Sequence, residues 1–383
     1  MRRLLLFSVL VCCSGISDHL YAQVVDATTC DILANPQSFD GKIVRIKATV
    51  STGFEEFAIK DPSCGQPVNA IWIAYPDGTK AKAGPAAFVQ LQLAKNNPAA
   101  ATIPSRQAAK LDKNKEFKQF DSLLSTPYKA GGMCLGCTRY TVKATLVGRL
   151  DGVKDAGIVR DGSGKFVGAS GFGNLNLYRA RLVLQNVADV SSQEVDYSRV
   201  SSATKDDSPH DSGSGDPVAA AHQAARAFGP DSQAGKDVEK AAAAYGNQGE
   251  DNGVQVGFGT PNEVPKNDGP KSDNDSPDGL VLNCTFDMDR LKGDALARAI
   301  AHVGTHLADV RSPSVSAPTI TAYELEYRAW QTTVLGAVAF QQKTLTAPGG
   351  FLLWNAAWPA ADRNKMVDEG ITSLLRDGEA LKK

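Results

Sequence analysis

The sequence predicts an α+β, multidomain chain, with a five-stranded β-barrel carrying one helix followed by a small α-helical bundle. Three observations carry this expectation. Residues 24–190 hold runs of alternating apolar and polar residues on either side of one amphipathic helical stretch. Residues 191–280 are rich in Ser, Asp, Gly, Asn and Pro and poor in aromatics, a composition that buries too little apolar surface to order itself. Residues 281–383 return to helical periodicity with several aromatic side chains.

The 383-residue chain opens with Arg2-Arg3, an apolar run over 4–13 and a small residue at Ala22, the parts of a secretory signal peptide over 1–22. A bilayer span needs about 20 apolar residues, so this run is too short and no later segment qualifies. The expectation is an exported protein, periplasmic or extracellular. Beyond 22, the cysteines are Cys30, Cys64, Cys134, Cys137 and Cys284. Export favours disulfides. The first four allow three pairings, of which Cys30–Cys64 with Cys134–Cys137 is preferred. Cys284 is left as a buried thiol or an intermolecular partner.

Within 24–190, the strand over 42–52 sets Val44, Ile46, Ala48 and Val50 against Arg45, Lys47 and Thr49. Further strands are expected over 54–59 and 70–75, the latter stopped by Pro76-Asp77-Gly78. A helix over about 105–125 places Phe117, Phe120 and Leu124 on one buried face. Strands over 139–150 and 177–187 follow. Three strands, a helix and two strands is the order of an OB-fold barrel.

The stretch Asn35-Pro36-Gln37-Ser38-Phe39-Asp40-Gly41-Lys42-Ile43-Val44 leads into the first strand. Together with Phe54-Glu55-Glu56-Phe57, Ile71-Trp72-Ile73 and Gly171-Phe172-Gly173, it resembles exported bacterial OB-fold-like domain proteins of unassigned function. The resemblance covers about 24–190 and implies a fold but no catalytic residue. The C-terminal region is only weakly similar to helical parts of exported bacterial proteins.

The tract 191–280 reads as a disordered acidic linker, with an Ala-rich helix as an option over 217–245. After it, helices are expected over 293–310, 321–345 and 361–379. The capping box Thr321-Ala322-Tyr323-Glu324 opens the second of these. Charge is divided unevenly. Residues 24–190 carry 21 Lys+Arg against 14 Asp+Glu, residues 191–280 carry 7 against 16, and residues 281–383 carry 11 of each. A basic head and an acidic strap suggest that the strap folds back and screens the head.

Chemistry is sparse. Cys134-Leu135-Gly136-Cys137 precedes a strand rather than opening a helix, so a structural disulfide is favoured over a redox dithiol or a zinc knuckle. His302 and His306 stand one helical turn apart, a spacing that could chelate a metal. Val303 occupies the place where the zinc-protease motif has Glu. On a wheel of about 100° per residue with Leu296 at zero, Ile300, Val303 and Leu307 lie within about 40° of it, whereas the histidines fall near 240° and 280°. That favours solvated histidines, and no resident metal or other cofactor is expected. Glu55 and Glu56 adjoin, so they face opposite sides and do not form an acid/base pair. A basic face of Arg45, Lys47 and Lys143 is the candidate ligand surface, suited to an oligosaccharide, another polyanion or an envelope protein. Nucleic acid is not an expected partner of an exported chain. The favoured function is a non-enzymatic binding or scaffolding module. The alternatives are a metal-dependent hydrolase using His302 and His306 with Asp309 nearby, and a thiol–disulfide protein using Cys134 and Cys137.

Overall fold

In a computed structural model, the described residues are 23–64, 70–94, 97, 109–128, 138–195, 233–246, 253–258, 279–287, 289–291, 294–312, 328–329 and 332. The leader over 1–22, the Cys134–Cys137 loop, residues 217–232 of the Ala-rich stretch, the acidic fold-back and the helix over 361–379 lie outside them. So does nearly all of the helix expected over 321–345, of which residues 328, 329 and 332 are helical.

A short strand β1 (Val25–Asp26) and a capped turn of helix α1 (Thr29–Ala34) lead into β2 (Ile43–Thr52). Strands β3 (Phe57–Lys60) and β4 (Ala70–Ala74) follow. Later come β6 (Tyr140–Gly152) and β9 (Ala180–Glu194). These five long strands close a mixed barrel in the order β2-β3-β4-β9-β6, with β6 pairing back to β2. All neighbours are antiparallel except β4 and β9. The barrel closes for the reason its alternation implies. Val44, Ile46 and Val50 point into a core shared with Ile59, Ile71, Leu146 and Leu182, while Arg45 and Lys47 point out. Helix α2 (Lys115–Leu124) is capped by the Asn114 side chain and sends Phe117, Phe120 and Leu124 into the same core. This is the α+β, OB-like barrel, with its helix between the third and fourth barrel strands.

Between β4 and α2 lies a strand absent from the expected order, β5 (Ala87–Leu93). The excursion from β6 to β9 likewise carries a hairpin, β7 (Gly157–Arg160) with β8 (Phe166–Ser170), and a 3₁₀ turn Asn174–Asn176. Beyond β9 come helix α3 (Gln233–Ala243), β10 (Val254–Phe258), β11 (Leu280–Phe286) and helix α4 (Asp294–Arg311).

Strand β5 turns away from the barrel and pairs antiparallel with β11, whose other edge takes β10 in parallel. Every residue of β11 is buried, and Leu282, Cys284 and Phe286 share a second core with Val89, Leu91, Ile300, Val303 and Leu307. Arg290, ion-paired to Asp287 at 2.9 Å, also donates to the carbonyl of Gly84. Within the described residues the boundaries at 190 and 280 are crossed: β11 completes a sheet begun by β5, and the tract read as a disordered linker with an optional Ala-rich helix over 217–245 contains β10 and, inside that option, α3. The physical reason is that an apolar strand cannot leave its backbone groups and side chains unpartnered, and the partner of β5 is distant in sequence. Among the described residues no helix is long and apolar enough to cross a membrane.

Candidate metal centre

The second core packs against the loops at one end of the barrel. The turn between β2 and β3 is stitched to the start of β5: the backbone N–H groups of Ala86 and Ala87 donate to the carbonyls of Gly53 and Phe54. This fixes the direction of the two glutamates that follow. Glu56 turns toward Ser51, which donates to it at 2.6 Å, and Lys60, at 2.7 Å. Glu55 points the other way, into the junction with α4, so the expectation of opposite faces holds.

Helix α4 is enclosed on more than one side. Ile300, Val303 and Leu307 face the β5–β11 sheet. On another side Gly304 lets α3 approach so closely that a Cβ there would stand 2.3 Å from the Ala241 carbonyl oxygen. Tyr245, just past α3, donates its hydroxyl to the carbonyl of Ile300 at 2.7 Å. The remaining face carries His302 and His306, both fully buried, with the Phe54 ring edge-on to His302 at 5.0 Å. The expectation of solvated histidines is thus corrected. Their position beside the apolar stripe puts them against the barrel loop, because α3 and the sheet occupy the rest of the helix surface.

Three side-chain atoms converge here. His302 Nε2 and His306 Nε2 are 3.1 Å apart, and each lies close to Glu55 Oε2, at 3.4 and 3.3 Å. Asn174 donates from Nδ2 to the same carboxylate oxygen at 2.9 Å. Its own orientation follows from its other bond, since its Oδ1 accepts the Val89 N–H at 2.8 Å. Glu55 Oε1 is buried with no hydrogen-bond partner among the described residues. Burial alone raises the carboxyl pKa, but the electrostatic pull of His306 and His302 outweighs it, holding Glu55 below the usual carboxylate range.

The triangle has the dimensions of a coordination site. Ligand atoms bound about 2.0–2.1 Å from a zinc ion at tetrahedral angles stand about 3.3–3.4 Å apart. Charge-assisted N–H···O⁻ bonds are shorter, about 2.7–2.9 Å. The three potential ligand atoms, all within 4.8 Å of one another, thus have a spacing nearer that of three corners of a coordination tetrahedron. Two imidazoles and a carboxylate form a donor set that suits zinc and other first-row divalent ions.

Cys30 and Cys64 form a disulfide, so their proximity to Asp61 is not a metal site. Cys284 is a buried free thiol, and burial pushes its pKa up, which keeps it neutral and unreactive. Arg45, Lys47 and Lys143 share the outer face of β2 and β6, and Arg45 pairs with Asp26 at 3.0 Å. Asp309 is buried near Arg328, at 3.5 Å, and is not part of the triangle. Glu55 and Asn174 escaped the sequence reading as site residues, since nothing local marks a loop glutamate or a turn asparagine as a partner of α4. One signal was available: Ala301, Gly304 and Ala308 form a stripe of small residues at helical spacing, which marks a face for close helix packing and leaves less of α4 for solvent. No family model, curated protein or solved structure matches the chain, so its reading rests on this geometry.

Proposed function

We propose that the chain is an exported, non-enzymatic binding protein that holds one divalent transition-metal ion, zinc by preference, through Glu55, His302 and His306. The carrying observation is the triangle of 3.1, 3.3 and 3.4 Å between the three ligand atoms. An octahedral ion at about 2.1 Å would draw its ligands to about 3.0 Å, so the longer edges favour tetrahedral zinc. A metal-dependent hydrolase also uses three protein ligands, but it needs an open position that substrate can reach. Complete burial of both imidazoles favours retention of the ion over turnover.

The ion would tie the barrel loop to α4 and lock the second core onto the barrel end. Export is supported by the Cys30–Cys64 disulfide, because such bonds persist outside the reducing cytosol. The basic face of Arg45, Lys47 and Lys143 is the surface on which an acidic partner would be sought.

Full-length protein purified without chelator should carry close to one zinc per chain by mass spectrometry of metals. Glu55→Gln, which keeps the side chain's shape, should lose it, as should His306→Ala. Metal-free protein that takes up no zinc at micromolar concentration would overturn the reading.

A further inference from the structure

We propose that Asn174 is a positioning residue of the metal centre, holding Glu55 as a one-oxygen ligand; this deepens the zinc reading and rests on it. Gly173, Leu175 and Asn176 take φ values of 68°, 51° and 55°, and such left-handed geometry is unfavourable for a leucine. The segment persists because its surroundings over-determine it. Leu175 is buried in the second core, and Gly173 sits so close to Trp72 that a Cβ would lie 2.4 Å from the ring. Strain of this kind often marks a functional segment.

The turn aims two asparagine side chains at the same edge of β5. Asn176 accepts the Leu91 N–H at 3.0 Å and donates to the Leu91 carbonyl at 2.9 Å, imitating a neighbouring strand. Asn174 does half of this, accepting the Val89 N–H, and spends its amide donor on Glu55 Oε2. The bond to Val89 leaves the amide no freedom to flip, so a donor always faces the carboxylate. A carboxylate oxygen has room for a hydrogen bond and a metal together. With Oε2 held in this way beside both imidazoles, the carboxylate is set to bind through that oxygen alone, and Oε1 stays out of the coordination sphere. Hydrogen bonds to ligating groups orient them and raise metal affinity.

The two asparagines supply their own control, since both edge-pair with β5 but only Asn174 bonds Glu55. In full-length protein, zinc affinity is measured by chelator competition, and cobalt(II) substitution reports geometry through its visible absorption. Asn174→Ala should weaken zinc binding by about 10–100-fold. It should also dim the cobalt band, because a released carboxylate binds through both oxygens and raises the coordination number. Asn176→Ala should lower the unfolding midpoint to a similar degree while leaving zinc affinity and the cobalt spectrum as in the wild type. Equal loss of zinc affinity in the two variants, or none in Asn174→Ala, would overturn the positioning role and leave the metal site standing. Failure of the wild type itself to bind zinc or cobalt would sink both.

Discussion

Gly304 decides whether α4 can be buried on two sides. Alanine is better in a helix interior by about 1 kcal/mol, so propensity alone would make Gly304→Ala stabilising. Packing opposes this, because the new Cβ would meet the Ala241 backbone oxygen at 2.3 Å, and a backbone atom cannot rotate aside. Overpacking of this kind costs about 1–3 kcal/mol, so the clash should win. Gly304→Ala should lower the urea midpoint and, by shifting α4, loosen zinc binding; an unchanged or raised midpoint would show that α3 does not pack there. At this scale the sequence was partly legible. The His302–His306 spacing showed that two imidazoles share a direction. It could not show what lies opposite, because Glu55 and Asn174 are brought there by loops whose geometry depends on β5.

Among the elements, β2 and α2 were readable because burial on one face leaves a period in the sequence, two residues for a strand and 3.6 for a helix. Strand β5 was not, although Ala87, Val89 and Leu91 alternate with Phe88, Gln90 and Gln92. Its alternation is short, sits in an Ala-, Lys- and Gln-rich region, and has its partner in β11. The pairing of β6 with β9 has an electrostatic clasp. Asp151, opposite Arg181 in register, is buried and accepts from both Arg149 and Arg181, at 2.9 and 2.7 Å. Burial raises its pKa, but the bonds from the two arginines prevail and depress it. A carboxylate with a depressed folded pKa contributes stability that is complete above the unfolded value of about 4 and is lost as pH falls through the folded value. Asp151→Asn removes the buried charge that both guanidinium groups face and should cost about 3 kcal/mol at neutral pH. It should also flatten the acid limb of the stability curve below about pH 4. A variant whose loss is the same at pH 3 and pH 7 would show that charge is not what holds the clasp.

For the molecule as a whole, the two cores share one chain in an interleaved order. Phe54, Val89, Leu91, Phe166 and Leu175 all precede residue 195 yet belong to the core completed by Leu280, Leu282, Phe286 and α4. A fragment covering 23–195 would therefore keep a closed barrel but present the unpaired edge of β5 and a bare apolar surface. It should bind a hydrophobic dye and self-associate more strongly than the full chain. A fragment that is monomeric and melts at the same temperature as the full chain would restore the picture of independent modules. The Cys30–Cys64 bond lies wholly within the barrel portion and would not substitute for the missing sheet.

The sequence by itself determined the strands and the helix of the barrel, because alternation that presents one apolar face inward is written locally, whereas the β2–β6 and β4–β9 pairings that close it join distant segments. It also placed the histidines one turn apart on a helix and offered the pairing of Cys30 with Cys64 among three. Only the tertiary structure decided that the middle tract contributes β10, that β5 and β11 form one sheet, and that Glu55 meets His302 and His306. Each of these depends on contacts between segments distant along the chain. A residue pattern records which face of an element is buried, but not which other element does the burying.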